Sequence, residues 1–550
     1  MACKVGEIMK EIKIYDSTLR DGAQAQGVSF TVEDKLKITE AVDRLGISYI
    51  EAGNPGSNPK DLEFFQRVKK LNLKNVRVVA FGSTRRTNIK VEDDANVKSL
   101  LTADTEAIAI FGKSWDFHVY EVLRTTQDEN LRMIYDTIEF FVKRGKEVIF
   151  DAEHFFDGYK ANPEYAMKTI YTAIEAGAST VCLCDTNGGT FPNEISEITS
   201  YVVKNVKVPV GIHCHNDNGM AVANSIMAVQ AGATQVQGTI NGIGERCGNA
   251  NLCTIIPNLQ IKANYKCIPD ESMKNLTSIA RYVSEIANMI HNEKDPYVGG
   301  SAFAHKGGMH IDAVFKNPIS FEHINPELVG NKRVILMSEV AGRSTIMKKI
   351  HEVDPSIGKD SYEAKMIIDK LKELEHEGYQ YEGAESSFKL VIRKILGKYS
   401  PFFNLNEFKV IVGEPSISAF NSSAMIKIKV GDQVEITAAE GCGPVNALDN
   451  ALRKALERFY PEIKQMKLTD YKVRVLDSAA ATAAKVRVLI ESTDGKDVWT
   501  TIGVSTDIIE ASWKALVDSI EYKLIKDKNG NNNVKNRDNE TVEKSYNNEE

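Results

Sequence analysis

The sequence of 550 residues has little cysteine and no long apolar run. Its eight cysteines form no CxxC pair, so they do not indicate a zinc ribbon or a redox dithiol, and we expect reduced thiols. No uninterrupted apolar stretch of about 18 residues occurs, and the start, MACKVGEIMKEIKIYD, contains no signal-peptide core. The sequence therefore predicts a cytoplasmic protein with no membrane partner.

An excess of basic charge is also missing. Sixty-eight Lys and Arg stand against 75 Asp and Glu, which gives a formal net charge of −7. Without a basic field to attract phosphate backbones, nucleic acid is not expected as a partner. The sequence also contains no GxxxxGK[ST] motif and no serine nucleophile elbow, so neither a P-loop nor a serine hydrolase is supported.

Eight short β-branched apolar runs, each followed by a polar turn and an amphipathic segment, occupy the first half of the chain. The runs cover residues 12–15, 48–51, 76–81, 106–111, 147–150, 180–184, 210–214 and 235–240. This alternation predicts a closed parallel (β/α)₈ TIM barrel over residues 1–265, although an open doubly wound sheet shares the local pattern. Polar side chains follow nearly every run, and they converge only if the sheet closes, so we favour the barrel.

The second half of the chain has a different organisation. Residues 266–397 lose the strand–helix rhythm and are predicted to form a mostly helical linker subdomain. Residues 398–526 alternate strands with two amphipathic helices, and the pattern of 425–456 returns at 486–520, which predicts an α+β domain of two βββα units. Residues 527–550 are nearly all polar, and we expect a disordered tail.

The motif GIHCHND places His213 and His215 two residues apart on the predicted seventh strand, so both imidazoles face the same side. A pair of buried histidines satisfied by neighbours explains this motif equally well, because two imidazoles are an incomplete metal site. Asp21 of STLRDG and Asn249, after the eighth strand, could add two oxygen ligands. Such a set suits a divalent cation such as Mn²⁺, Mg²⁺ or Zn²⁺, and the ligand types do not choose among them.

Other candidates are weaker individually. Arg20 could bind a substrate carboxylate or carbonyl, or it could form a structural ion pair with a barrel carboxylate. Glu153 and Thr186 are candidates for proton transfer or ligand positioning, whereas His310 lies outside the barrel, where a surface histidine is the commoner case. A glycine-rich turn could approach a phosphate or pantetheine group, or could simply brace the loop; it contains Gly242, Gly244, Glu245 and Arg246.

STLRDGAQ, GIHCHND and GIGERCGNANL occur in this order at the first, seventh and eighth predicted strands. Together they resemble the aldolase-type acyl-CoA condensing family, which includes the isopropylmalate, homocitrate and citramalate synthases. GCGPVNALDNALRKAL resembles the C-terminal regulatory domain of the family members in amino-acid pathways. EAGNPGSNPKD and FDAEHFFDGYK are most similar to the citramalate synthase group, which implies condensation of pyruvate with acetyl-CoA and release of CoA.

The resemblance implies a role for each candidate. Asp21, His213, His215 and Asn249 would hold the divalent metal ion, and the glycine-rich turn would contact acetyl-CoA. Arg20, Glu153 and His310 would be catalytic, and Arg20, Asp151 and Thr186 would bind the 2-oxo acid. His310 would reach the barrel of the other subunit, which implies an obligate homodimer.

The same resemblance implies an isoleucine effector that binds the C-terminal domain, with Gly441, Gly443 and Pro444 as candidate contacts, and a purely dimerising domain is the alternative. Two positions depart from the family pattern: Asp151 stands where an aromatic residue is expected, and residues 311–360 contain no tyrosine. The identity of the general base therefore stays open.

Three alternatives remain at the level of sequence. A sister synthase using a larger 2-oxo acid, such as a 2-isopropylmalate or homocitrate synthase, would share every motif. A lyase of the same barrel family would share the metal motif but usually lacks the C-terminal pair of βββα units. A catalytically silent amino-acid sensor would need neither Arg20 nor the ligand set, and their joint presence favours an enzyme.

Overall fold

The computed structural model describes residues 9–336, 343–358, 361–413, 421–476, 483–495 and 497–546. They form two compact units. The first comprises Met1–Phe303 with Ile324–Arg333, and the second comprises Ala304–His323 with Val334–Glu550. No helix among the described residues is long and apolar enough to cross a bilayer.

The first unit contains a closed barrel of eight parallel strands. The strands are β1 (Lys13–Asp16), β2 (Tyr49–Glu51), β3 (Arg77–Ser83), β4 (Ala107–Lys113), β5 (Glu147–Glu153), β6 (Thr180–Asp185), β7 (Val210–Cys214) and β8 (Gln235–Gly238). Each strand pairs with its neighbour in the chain, and β1 pairs with β8 in parallel register. The predicted (β/α)₈ barrel is confirmed, and the open doubly wound sheet is excluded.

Crossover helices connect the strands and cover the outside of the barrel. They are α1 (Val32–Leu45), α2 (Pro59–Val68), α3 (Ala95–Ala103), α4 (Gln127–Val142), α5 (Phe155–Ala161), α6 (Pro163–Glu175), α7 (Pro192–Asn205) and α8 (Ala221–Gln230), followed by α9 (Leu252–Pro257) and α10 (Leu276–Ile286). Helix α1 shows how the sequence sets the bounds: Thr31 and Asp34 form a capping box, and Gly46 ends the helix at φ 85°. Its apolar face, including Ile38 and Val42, is fully buried.

The lumen of the barrel is closed below the site by apolar side chains. Tyr15, Tyr49, Val79, Ala109 and Ile149 form a cluster of their own, separate from the core between strands and helices. Because side chains alternate along a strand, the next residues on the same face of β1 and β5 lie one layer higher in the barrel. The polar side chains at the strand ends therefore rest on a packed floor.

Strand β5 is longer than the sequence pattern indicates. Asp151 and Glu153, expected to follow the strand, lie within it, because the ladder with β4 continues through the pairs Gly112–Ala152 and Lys113–Glu153. Backbone pairing thus carries two acidic residues into the sheet that their polarity alone would place in a loop.

The second unit begins with a small two-stranded sheet and helices. These elements are β9 (Ala304–His305), α11 (Gly308–Lys316), β10 (Val334–Ile335), α12 (Arg343–Val353), α13 (Tyr362–Glu377) and α14 (Glu385–Ile395). An apolar cluster that includes Ile350, Ile367 and Phe388 holds α12, α13 and α14 together.

Two antiparallel sheets with one helix each follow. The first consists of β11 (Asn404–Val412), β12 (Ser422–Val430), β13 (Gln433–Gly441) and α15 (Pro444–Leu456), and the second of β14 (Lys467–Val475), β15 (Val486–Thr493), β16 (Val498–Ser505) and α16 (Ile508–Tyr546). Their helices and inner sheet faces share one apolar core, in which Ile426, Leu452, Ile490 and Leu516 are buried. The predicted pair of βββα units is confirmed.

The domain boundaries at residues 265, 397 and 526 stay predictions. Helix α16 continues across the predicted boundary at residue 526, where Lys523 pairs with Asp527 one turn later at 2.9 Å. The predicted tail therefore begins inside a helix, and its last four residues, 547–550, lie outside the described residues.

The close packing of β8 leads to a first prediction, which concerns Gly238. A side chain there would collide with the carbonyl oxygen of Ala250 and with Leu252, so Gly238→Ala forces the backbone to move. We expect a loss of about 1–3 kcal/mol, seen as a fall of roughly 2–4 °C or more in the thermal midpoint. Gly189→Ala is the matched control, because a side chain there meets nothing within 4 Å. Equal midpoints for the two variants would contradict the packing.

Candidate active site

The carboxyl ends of the barrel strands surround a cavity of about 220 Å³. Of the residues predicted from the sequence, those that line it are Arg20, Asp21, Asp151, Glu153, Thr186, His213, His215 and Glu245. They come from the ends of β1, β5, β6 and β7 and from the loop after β8, and barrel closure brings them together.

Asp21 and the two histidines of β7 form a tight buried cluster. Oδ2 of Asp21 lies 3.6 Å from Nε2 of His213 and 3.7 Å from Nε2 of His215. The three ligand atoms lie within 4.8 Å of one another. Burial lowers the pKa of both histidines to about 4, and Asp21 only partly offsets this. Both imidazoles are therefore neutral at neutral pH, which is the protonation state that binds metal ions.

Gln237 orients the His213 ring. Its side-chain Nε2 donates to Oδ1 of Asp151 at 2.9 Å, so its Oε1 faces Nδ1 of His213 at 3.1 Å and accepts from it. The lone pair of His213 then lies on Nε2, toward Asp21. This is the arrangement that fixes a metal-binding histidine in proteins.

Burial alone would raise the pKa of Asp21, but the Arg20 guanidinium and the two histidines outweigh it and hold this pKa well below its usual range. The carboxylate therefore carries its full negative charge. It lies between one permanent cation and two neutral imidazoles.

Several buried polar atoms around this cluster have no hydrogen-bond partner among the described residues. They are Oδ1 of Asp21, Nδ1 of His215, and both amide atoms of Asn249. An unpaired buried polar atom costs about 1–3 kcal/mol, and a cation would satisfy the oxygen atoms in this group. The donor set of nitrogen and oxygen atoms thus fits a divalent metal ion.

The glycine-rich turn holds Asn249 in place. The backbone N–H of Asn249 donates to the carbonyl of Gly242 at 3.0 Å, and a side chain at Gly244 would collide with the Asn249 amide. Arg246 pairs with Asp217 at 2.8 Å and donates to the carbonyl of Thr186 at 2.7 Å. These contacts support the bracing role of the turn, whereas Glu245 lines the cavity directly.

Glu51 organises the mouth of the barrel, and it was not among the residues predicted for the site. It is fully buried and accepts from Tyr15 at 2.7 Å, Ser17 at 2.6 Å and Nε of Arg20 at 2.5 Å. Nη1 of Arg20 pairs with Asp21 at 2.8 Å. The signal for Glu51 was its place at the end of the second apolar run.

Two aromatic rings form one wall of the cavity, and sequence reasoning missed them as well. Phe81 of β3 and Phe111 of β4 stack with ring centroids 5.1 Å apart and planes inclined by 18°. The Arg20 guanidinium lies 4.0 Å from the Phe81 centroid. Both residues end apolar runs, so their pattern looked like ordinary core, and only closure of the barrel shows that they face the cavity.

The remaining wall contains acidic and hydroxyl groups. Burial, together with Glu51, raises the pKa of Asp151 to about 7. Glu153 pairs with Lys113. The backbone N–H of His154, a residue in the left-handed region at φ 56°, donates to Oγ1 of Thr186 at 2.9 Å. The proton of the Thr186 hydroxyl is therefore free to donate elsewhere.

Four predicted residues belong to the second unit. His310 is exposed on α11, and its ring stacks on Phe321 with centroids 4.1 Å apart. Gly441 ends β13, Gly443 precedes α15, and Pro444 is its first residue. Their roles stay predictions.

Fold and site together define an HMGL-like barrel protein. The HMGL-like family model matches residues 11–287, the homocitrate synthase post-HMGL domain-like model matches 297–379, and the LeuA allosteric (dimerisation) domain model matches 382–524. The (R)-citramalate synthase of Aquifex aeolicus is 56% identical over 520 residues, covering 94% of this chain and 98% of the relative. That of Geobacter sulfurreducens is 52% identical, with the same shares covered. The chain belongs to the (R)-citramalate synthase family, whose members are acyl-transferring condensing enzymes.

The ligand set predicts that a divalent cation stabilises the fold. Excess Mn²⁺ should raise the thermal midpoint of the protein, by the equivalent of about 2.7 kcal/mol at a hundredfold excess over Kd. His213→Ala and Asp21→Ala should lose this shift, because each removes a ligand. His376→Ala, at an exposed position on α13, is the control and should keep it. A full Mn²⁺ shift in His213→Ala would show that the ion binds elsewhere.

Proposed function

We propose that the protein condenses acetyl-CoA with pyruvate and hydrolyses the thioester, giving (R)-citramalate and CoA. The observation that carries this proposal is the small cavity in which Arg20 lies beside the Asp21, His213 and His215 cluster, closed on one side by stacked aromatic rings. The names of relatives at 56% and 52% identity, aligned over nearly the whole chain, agree with it.

Pocket size favours a small 2-oxo acid. Phe81 and Phe111 line the cavity as a stacked pair and limit its width, and the Arg20 guanidinium covers Phe81. The cavity of about 220 Å³ has to hold the oxo acid and the acetyl group together. We therefore favour pyruvate over the larger substrates of isopropylmalate or homocitrate synthases.

The carboxylate of pyruvate is bound by hydrogen-bond donors at the carboxyl ends of three strands, β1, β5 and β6. The ion pairs of Arg20 within the described part of the chain use Nε and Nη1, so Nη2 can donate to the oxo acid. Thr186 accepts from a backbone N–H, and its hydroxyl can donate to the same substrate. Asp151, whose pKa is raised to about 7, can add a carboxylic acid donor.

The carbonyl of pyruvate must be polarised before carbon–carbon bond formation. A divalent cation held by Asp21, His213, His215 and Asn249 would supply Lewis-acid chemistry at that oxygen; Mn²⁺, Mg²⁺ and Zn²⁺ all suit the donor set. Arg20 holds the developing negative charge on the oxygen through a preorganised guanidinium.

A base removes a methyl proton from acetyl-CoA, the resulting carbanion attacks C2 of pyruvate, and water cleaves the thioester. Glu153, paired with Lys113, is one candidate for the proton transfers. His310 of the partner subunit is the other. Glu245 and Arg246, with Gly242 and Gly244, are proposed to contact the CoA moiety.

A homodimer is consistent with an apolar surface on the second unit. The outer faces of its two sheets carry exposed large apolar residues, among them Ile411, Val434, Ile436 and Val498. Such an exposed surface indicates an interaction site. The match to a domain described as a dimerisation domain supports a second copy of the chain as the partner. We place the dimer in the cytoplasm.

We further propose isoleucine as an inhibitor that binds near Gly441, Gly443 and Pro444. The N-terminus of α15 starts at this loop, and free backbone N–H groups at a helix start attract a carboxylate. Space is open around Gly443, since a side chain there would meet nothing within 4 Å.

Thiol release from acetyl-CoA tests the proposed reaction. With Mn²⁺ or Mg²⁺ present, we expect the highest rate with pyruvate and lower rates with 2-oxobutyrate, 2-oxoisovalerate and 2-oxoglutarate, because of the Phe81 and Phe111 wall. A chelator should abolish the rate. The product formed with pyruvate should be identified as citramalate by chromatography and mass.

Arg20→Met is the matched variant for this assay. It removes the charge and keeps much of the length, so turnover should fall by at least ~10³-fold while the Mn²⁺-induced thermal shift remains. A faster reaction with a larger oxo acid would reassign the protein to a sister synthase. No thiol release with any oxo acid would favour the sensor or a lyase.

Inhibition by isoleucine should depend on the loop before α15. Gly443→Ala puts a methyl group into the proposed contact, and we expect the inhibition constant for isoleucine to rise about tenfold, equivalent to about 1.4 kcal/mol. Each variant is compared with its own rate without isoleucine. Gly383→Ala, at another open position of the second unit, is the control. Unchanged inhibition in Gly443→Ala would remove this loop from the effector site.

A further inference from the structure

Strand β6 directs two thiols into the barrel lumen. Val181 and Leu183 pack in the core between the barrel and its helices, so the alternating residues Cys182 and Cys184 face the opposite side. On the neighbouring strand, Asp151 is the direct register partner of Cys182. The proposed reaction uses neither thiol.

These three side chains form a compact cluster of ligand atoms. One carboxylate oxygen of Asp151 and the two Sγ atoms lie within 4.8 Å of one another, and all three residues are buried. The Sγ of Cys184 also donates to the carbonyl of Cys182 at 3.7 Å. Two sulfur atoms and one oxygen favour thiophilic cations and disfavour Mg²⁺, so this donor set differs in kind from that of Asp21 and the histidines.

A second observation concerns the space beside Cys182. Strand β7 has glycine at position 211, and a side chain there would lie 3.3 Å from Sγ of Cys182 and 2.9 Å from Oε1 of Gln235. Gln235 is 1% exposed, and neither of its amide atoms has a hydrogen-bond partner among the described residues. A buried amide oxygen that needs a partner therefore borders the same space as the thiol.

The cluster is open to the cavity of the site. Asp151 and Cys184 line that cavity together with Arg20 and Thr186. A small cation that enters the mouth of the barrel can therefore reach Asp151 and the Cys184 thiol without unfolding of the wall.

We propose that Asp151, Cys182 and Cys184 form a second cation site, selective for thiophilic divalent ions such as Zn²⁺ and Cd²⁺. Each thiol loses its proton to solvent as its sulfur binds the ion, and a protonated Asp151 loses its proton as well, so three protons are released for each ion bound to the fully protonated cluster. Burial raises the pKa of the Cys182 thiol well above its ordinary value, and this opposes binding, but direct coordination deprotonates a thiol. An ion at this site occupies the wall of the cavity where the oxo acid is proposed to bind.

Cadmium spectroscopy tests the site without using turnover, so its result is independent of the proposed reaction. The full-length protein carries Cys3→Ser, Cys247→Ser and Cys442→Ser, which remove two exposed thiols and one outside the described residues. It is saturated with Mg²⁺ and titrated with Cd²⁺. Cadmium bound by thiolates gives an ultraviolet charge-transfer band that nitrogen and oxygen ligands do not give. We expect the intensity of this band to saturate at one Cd²⁺ per chain.

Further variants locate the band. Cys182→Ser and Cys184→Ser should each weaken Cd²⁺ binding by at least tenfold and reduce the band, and Asp151→Asn should weaken binding with the band retained. Cys267→Ser, which changes another buried cysteine of the first unit, is the control and should leave both unchanged. Circular dichroism checks the fold of each variant. If either serine variant fails to fold, Cys184→Ala is used in its place. The proposal would be overturned if the band were absent, or if the substitutions at Cys182 and Cys184 left the band unchanged.

Discussion

The site depends on one buried carboxylate, Glu51. Placing an unpaired charge in the barrel would cost several kcal/mol, and the chain offsets this by directing Tyr15, Ser17 and Arg20 at its two oxygens. All three donors come from β1 and the loop after it, so Glu51 on β2 joins two adjacent strands at the barrel mouth. Arg20 is held by this contact in one orientation. That orientation brings it beside Asp21 and over the ring of Phe81.

The lumen of the barrel contains an apolar layer that contributes to stability and a polar layer that contains the candidate catalytic groups. The lower layer, with Tyr15, Tyr49 and Ile149, packs as a core and excludes water. The upper layer contains charged and hydroxyl groups that a stable core would not hold unpaired. Its backbone is also strained in places, because His154, Asn241 and Arg246 all have positive φ values. Such strain collects around functional sites, and at His154 it turns a backbone N–H toward Thr186.

The elements that local patterns define were predictable. The capping box before α1, the glycine after it and the β-branched runs of the eight strands each reflect short-range physics. Their order fits a closed or an open parallel sheet, and the polar side chains after nearly every run favoured the closed barrel that the structure has. The two βββα units could be read in the same way, since strand alternation and helical spacing both repeat. Strand β5 was predicted too short, because its last residues are held by pairing with β4 rather than by their own preference.

The sequence by itself determined which residues can do chemistry here: the HxH motif of β7, the Arg20–Asp21 pair, and Asn249 with the neighbouring glycines, which leave room for its side chain. Spacing along one strand or one turn is enough for these, because the groups concerned are neighbours in the chain. Glu51, Phe81, Phe111 and the Cys182–Asp151 contact were decided only by the tertiary structure. Their partners lie on other strands, and their distances exist only once the sheet has closed on itself with a definite register.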